Sequence, residues 1–191
     1  MLNLLVPTSS DWVSLAIQNI DLILLDNIHC EKKAASTAMS LISRYPAHQS
    51  IVRKMSAMAV EEMEHFCLVY DAAIARGLQL SYDTADEYVN ALRAQGRKQE
   101  PEKMLDSFLI ASLIEARSCE RFSLLIEQPL PSDIGQLYRG LIPSEAGHYA
   151  LFQSLAREYF PESAVKERFD LLRKIESEIV LSIKPSPRMH G

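Results

Sequence analysis

Two glutamate and histidine patterns in the sequence repeat one another. In the stretch EEMEHF, Glu62 and His65 form a Glu-x-x-His pair, and Glu31 precedes Glu62 by 31 residues. In SEAGHY, Glu145 and His148 form a second pair, with Glu115 standing 30 residues ahead of Glu145. Carboxylate oxygens with one imidazole per pair make a mixed oxygen and nitrogen donor set for a divalent cation, and the doubling provides for two. Such carboxylate-rich sets suit iron, and less favourably manganese, better than zinc, whose structural sites prefer thiolates and four ligands.

The elements that must position these six residues are helices. Helix formers dominate, apolar residues recur at spacings of three and four, and no alternating strand pattern persists. Proline and glycine stops at RYPAH, RGLQLSYD, QGRKQEP, EQPLPSD and YFPES divide the chain into four long segments, about 11–44, 47–76, 101–127 and 132–159. A shorter helix follows Pro161, and the first segment is expected to break near Asn19 to Asp21, leaving a short helix around Trp12. Tight links make segments one and two an antiparallel hairpin, and three and four another. The long link over 77–100 is expected to hold a short helix opened by the capping box Thr84-Ala85-Asp86-Glu87 and to cross the length of a bundle. The expected fold class is all-α: one domain over 1–191, a four-helix bundle of two antiparallel hairpins with a long crossover and extra short helices.

Within that bundle the glutamates come to one level. Each lies about 15 residues from the turn of its own hairpin, roughly 22 Å along the helix. Residues three apart share a helix face, so each Glu-x-x-His pair points its two side chains the same way. Their neighbours on those faces are apolar: Leu24, Ile28 and Ala35 beside Glu31, Met55 and Val69 beside Glu62, Phe108 and Phe122 beside Glu115, Leu141 and Phe152 beside Glu145. Four unpaired carboxylates in a core would each cost several kcal/mol against a net stability of about 5–15 kcal/mol, so positive charge must accompany them. Two divalent cations balance the four negative charges. One Glu from each of two helices plus Glu-x-x-His from each of the others is the ligand plan of ferritin-like di-iron and di-manganese bundles.

Neighbouring residues take lesser roles in this reading. His29, two residues before Glu31, faces elsewhere and is structural or superficial, and Glu64 points to solvent. Glu61, about 100° around the helix from Glu62, is within reach of orienting a ligand histidine or is simply solvated. Pro143 removes a backbone hydrogen bond two residues before Glu145 and is expected to kink or restart the fourth helix. The methionines of the second segment, Met55 and Met58 among them, are core residues.

Composition narrows the function classes. A net charge of −5 gives no global basic field, so contact with nucleic acid would need a local patch of Lys and Arg. The candidates are Arg53 with Lys54, Arg93 with Arg97 and Lys98, Arg117 with Arg121, and Lys184 with Arg188. Cys30, Cys67 and Cys119 are far apart, which fits reduced thiols in a cytoplasmic protein, and neither a signal peptide nor a membrane span is recognisable. The residue one turn after His65 is Val69, so the tyrosine of radical-generating di-iron proteins is missing, and no Cys pair could build the rubredoxin module of rubrerythrin-like peroxidases.

The runs LLDNIHCEKKAASTAMSL, EEMEHF, IEARSCERF, SEAGHY and PRMHG together resemble the MiaE family of tRNA hydroxylases, over nearly the whole chain. The resemblance implies a di-iron monooxygenase that uses O₂ to hydroxylate the isopentenyl group of 2-methylthio-isopentenyladenosine beside the tRNA anticodon. Glu31, Glu62, His65, Glu115, Glu145 and His148 match that family's metal motif. With no flavin or iron–sulfur motif here, electrons would come from an external electron-transfer protein or reductase. Two other readings share the metal pattern: a bacterioferritin-like iron storage protein and a di-iron hydroxylase of another substrate. The oligomeric state is left open.

Overall fold

The computed structural model describes residues 2–191, which form seven helices and no strand. Helix α1 spans Ser10–Gln18, α2 Ile20–Arg44, α3 Gln49–Ala75, α4 Glu87–Ala94, α5 Glu102–Ile126, α6 Ser132–Tyr159 and α7 Glu162–Ser182. The most extensive packing is within two hairpins, α2 on α3 and α5 on α6, and the hairpins meet along α3 and α6. The fold is the ferritin-like bundle expected from the sequence. No described helix is long and apolar enough to cross a membrane.

Local chemistry explains where the helices stop. The Ser9 hydroxyl accepts from Trp12 N to open α1, and the Asn19 amide donates to the Leu15 carbonyl at 2.8 Å where α1 gives way to α2. Tyr45 leaves helical geometry because Pro46 follows it. α3 closes on Gly77 at φ 75°, where Leu78 N reaches back to the Ala73 carbonyl and Gly77 N to Ile74, a left-handed cap that a side chain would strain.

Two expectations need correction. The short crossover helix α4 begins later than the Thr84 capping box: Asp86 is its cap, with Oδ1 accepting from Val89 N at 2.8 Å. Thr84 instead offers its carbonyl to Arg188. Pro143 does not restart the fourth helix, since α6 runs unbroken through it. The turns on either side, packed by Tyr138, Leu141 and Phe152, hold the helix together there.

The hairpins are wrapped unequally. α1 lies on α2 and α5, α4 on α5 and α7, and α7 on α5 and α6, so α5 is covered nearly all round. The apolar core divides into two clusters. One gathers Leu41, Ile51, Met55, Phe108 and Phe152, the other Ile23, Ile28, Val69, Phe122 and Tyr138. Along α2, α3, α5 and α6 the glutamates fall between these clusters.

Candidate metal centre

All six residues singled out from the sequence converge in the layer between the two clusters. Glu31, Glu62, Glu115, Glu145, His65 and His148 are each at most 7% exposed. Donor atoms of Glu31, Glu62, His65 and Glu145 lie within 4.8 Å of one another, and so do those of Glu62, Glu115 and His148. Glu62 therefore belongs to both groups. His65 Nδ1 is 3.7 Å from Glu62 and 3.8 Å from Glu31, and His148 Nδ1 is 2.8 Å from Glu62.

The polar accounting fits cations. Both oxygens of Glu62 and the Nδ1 atoms of His65 and His148 are buried and have no hydrogen-bond partner of good geometry. Native interiors rarely leave such atoms unpaired, and four close together in one layer are what metal coordination would satisfy. The carboxyl groups respond to their crowding without a cation. Burial, then Glu62, pushes Glu31 up; burial, then Glu115, pushes Glu145 up; and burial with Glu62 brings Glu115 to about 7. Burial would also raise Glu62, but the imidazoles of His148 and His65 beside it outweigh burial and hold Glu62 down at about 2. His148, resisted by burial but drawn by Glu62, is raised to about 9. Four charged carboxylates do not persist together here without positive charge.

The surroundings orient the donors. Glu61 of α3 accepts from His148 Nε2 of α6 at 3.1 Å, so it does hold a histidine, and that histidine belongs to the facing hairpin. Asn27, one turn before Glu31, donates to Glu31 Oε1; sequence reasoning missed this residue, although its i, i+4 spacing from Glu31 carried the signal. Glu64 is exposed, as expected. His29 is buried and structural: its Nε2 contacts the Ser81 carbonyl at 3.0 Å and pins the crossover to α2. Met55 and Met58 are core residues.

A cavity of about 460 Å³ opens between α2 and α5 beneath α4. Its floor includes Glu31, Glu62, Glu115 and Glu145; Ile110, Ala111, Ile114, Phe122 and Phe152 form much of its wall. Lys33, Arg44, Arg93, Arg97, Lys98 and Lys103 also line it. Of these, Arg44, Lys98 and Lys103 pair with no carboxylate among the described residues, whereas Arg97 is bound to Asp106 and Lys33 to Asp83.

Of the other basic candidates from the sequence, Arg53 and Lys184 are exposed, whereas Arg117, Arg121, Arg188 and Lys54 are already engaged within the chain. Arg117 is fully buried and Arg121 is 4% exposed. Arg117 is held by Glu176 at 2.7 Å and by Glu120, while Arg121 lies 4.4 Å over the Trp12 ring and donates to the Met189 carbonyl. Arg188 is engaged by Asp26 at 2.9 Å, and Lys54 by Glu158 at 2.8 Å.

Residues 2–191 match the family model described as tRNA-(MS[2]IO[6]A)-hydroxylase (MiaE). The chain belongs to the MiaE family. It is 38% identical over 185 residues to a tRNA 2-(methylsulfanyl)-N(6)-isopentenyladenosine(37) hydroxylase of Pseudomonas putida, covering 97% of this chain and 90% of that protein. A hydroxylase of the same name from Salmonella typhimurium is 28% identical over 234 residues, covering 97% and 86%. A solved structure described as a protein with aldehyde deformylating oxygenase activity from Synechococcus superposes with a TM-score of 0.94 at 38% identity, covering 98% of this chain and 95% of that one. The MiaE match and the bundle agree on an enzyme of ferritin-like architecture.

Proposed function

We propose that this MiaE-family chain is a di-iron monooxygenase that hydroxylates the isopentenyl group of 2-methylthio-isopentenyladenosine in cytoplasmic tRNA. The observation that carries the reading is the cavity, which joins a cluster of carboxylates to a rim of cations through an apolar wall. Glu31, Glu62, His65 and Glu145 would hold one ion and Glu62, Glu115 and His148 the other, with iron favoured over manganese by the donor set. Two iron ions bound there supply the reduction and activation of O₂ for insertion of one oxygen atom into a C–H bond, with electrons from an external electron-transfer protein or reductase.

The remaining work belongs to the chain. Ile110, Ala111, Ile114, Phe122 and Phe152 would take the five-carbon side chain out of water, worth about 0.8 kcal/mol for each buried methylene. Arg44, Lys98 and Lys103 would meet the phosphates of the anticodon loop, which removes the objection of a net acidic chain: the charge that RNA needs is local. Glu61 keeps His148 Nε2 engaged, so Nδ1 faces Glu62 and the centre.

The test is the nucleoside composition of tRNA from cells with and without the gene. Loss of the hydroxylated nucleoside, with its precursor accumulating and Glu62→Ala copying the loss, is the expected result. Identical profiles would sink the assignment. A second reading, oxidation of a small apolar substrate such as an aldehyde, is favoured by the Synechococcus neighbour and the apolar wall. It predicts product from an aldehyde and indifference to charge reversal at the rim.

A further inference from the structure

The cavity wall carries a second polar group, assembled from distant parts of the chain. Asp86 comes from the crossover, Ser118 from α5 and His190 from the segment after α7. His190 Nδ1 lies 3.1 Å from Asp86 Oδ2, and its Nε2 lies 3.0 Å from Ser118 Oγ. All three are at most 8% exposed, and all three line the cavity.

The imidazole is held by its backbone neighbours. Met189 N donates to Asp26 at 2.7 Å, and Trp12 Nε1 donates to the Arg188 carbonyl at 3.0 Å. The Tyr88 ring stacks on His190 at 5.4 Å, and the second oxygen of Asp86 is fixed by Val89 N at 2.8 Å. These contacts seat the ring between Asp86 and Ser118.

Cys30 Sγ lies 4.0 Å from His190 Nδ1, so Cys30, Asp86 and His190 could be taken for a third metal site. Polar accounting decides against an ion. No buried side-chain nitrogen or oxygen of Asp86 or His190 is left without a partner, whereas Glu62, His65 and His148 in the metal centre all carry orphaned atoms. Asp86, His190 and Ser118 form a hydrogen-bond chain that is complete by itself.

Its inner end stands beside the chemistry. Ser118 follows Glu115 by three residues and shares its face of α5. On the oxygen-dependent reading given above, on which this inference rests, C–H, O₂, two electrons and two protons become C–OH and water. The flanking wall of Ile110, Ala111, Ile114 and Phe122 offers no donor, and a bound isopentenyl group would exclude bulk water.

We propose that Asp86, His190 and Ser118 form a proton relay that delivers the protons of oxygen reduction into the cavity. Ser118 Oγ gives its proton to the oxygen atom that leaves as water and takes one from Nε2 of the imidazolium, so the serine ends unchanged and His190 ends neutral. Asp86 keeps a proton on Nδ1 and stabilises the cation between turnovers; solvent reaching Asp86 at the start of α4 restores the proton given up. Electrons come from the reductase and oxidising power from O₂, so the relay moves protons alone. Ser118 is the catalytic residue, and His190 and Asp86 are positioning residues.

The experiment uses the full chain reconstituted with ferrous iron, a reduced viologen as electron donor, O₂ and tRNA carrying the unhydroxylated nucleoside. Ser118→Ala, Ser118→Thr and His190→Gln are compared for product formed per O₂ consumed, hydrogen peroxide released, iron content and melting temperature. Expected for Ser118→Ala is normal iron content and tRNA binding, with product per O₂ down about 100-fold and the oxygen recovered as peroxide. Ser118→Thr, which keeps the hydroxyl, restores coupling. In the metal-free protein, a low-field proton resonance from His190 Nδ1–H is expected, lost in His190→Gln and shifted in Ser118→Ala. A wild-type product ratio in Ser118→Ala, equal loss in Ser118→Thr, or a low-field spectrum unchanged by His190→Gln would each overturn the relay. If the wild type hydroxylates no tRNA, the proposed function fails by itself. The relay is then judged on O₂ reduction without tRNA, where more peroxide from Ser118→Ala supports it and an unchanged water-to-peroxide ratio overturns it.

Discussion

Replacing Glu176 by alanine strands the Arg117 guanidinium in the interior. Arg117 is fully buried and donates to Glu176 Oε1 from Nε at 3.0 Å and from Nη2 at 2.7 Å; it also donates to Glu120, Thr8 Oγ1 and the Val6 carbonyl. Glu176 is also fully buried and accepts from the Tyr88 hydroxyl at 3.1 Å. Removing one member of such a pair costs about 3–5 kcal/mol, because the survivor keeps its desolvation penalty without its partner. For a chain of this size, where 1 kcal/mol moves the midpoint by about 2–4 °C, the melting temperature should drop by roughly 6–20 °C. Removing both charges while keeping the volume, as in Arg117→Met with Glu176→Met, should recover at least half of that loss. The assay is a double-mutant cycle by thermal and urea unfolding, with tRNA affinity measured in parallel on the folded proteins. Because Arg117 does not reach the surface, affinity should stay within about threefold of wild type, under 1 kcal/mol. A single variant melting within about 2 °C of wild type would refute the energetic argument, since that is less than 1 kcal/mol. Strict additivity in the cycle would refute it as well.

Further outcomes are expected at the metal centre, the rim and the surface. Because Glu62 belongs to both donor groups, Glu62→Ala should reduce bound iron from about two per chain to well below one, measured by atomic absorption after desalting, whereas Glu64→Ala should retain both. Charge reversal at Lys98 or Lys103 should weaken tRNA binding and lower the slope of log affinity against log salt by about one for each phosphate no longer neutralised. Burial opposes the charge on Asp106, but Arg168 and then Arg97 hold its carboxyl below the usual range. Its contribution to stability is therefore fully present above the unfolded value of about 4 and is lost as pH falls through the lower folded value. The melting difference between wild type and Asp106→Asn should accordingly be constant near neutrality and shrink below about pH 4.

The four long helices and the six converging residues were legible because they depend on local spacing. Proline and glycine mark the helix ends, and a residue counted from the hairpin turn acquires a height in the bundle. Arg117 and Arg121 mislead for an instructive reason. Four residues apart, they look like a basic face, yet the preceding run FLIASLI leaves α5 no polar side on which to place one, the mark of a helix covered all round. Asp86 displaced Thr84 as the α4 cap because His190, from 104 residues away, fixes its carboxylate, and no periodicity encodes such a meeting. The same holds for Ser118, whose partner on the relay is 72 residues distant.

The division of the core into two apolar clusters on either side of the carboxylate layer bears on how the molecule breathes. The middle layer is carboxylate where the layers on either side are apolar, so cations bound there would join the two clusters like mortar. Chelation should leave the two halves each internally sound but poorly joined. Amide exchange should quicken first in the central turns around Glu31, Glu62, Glu115 and Glu145, while the turns packed by Ile51 and Phe108 on one side and by Ile23 and Tyr138 on the other stay slow. A protein built this way signals whether it is loaded through the stiffness of its own waist.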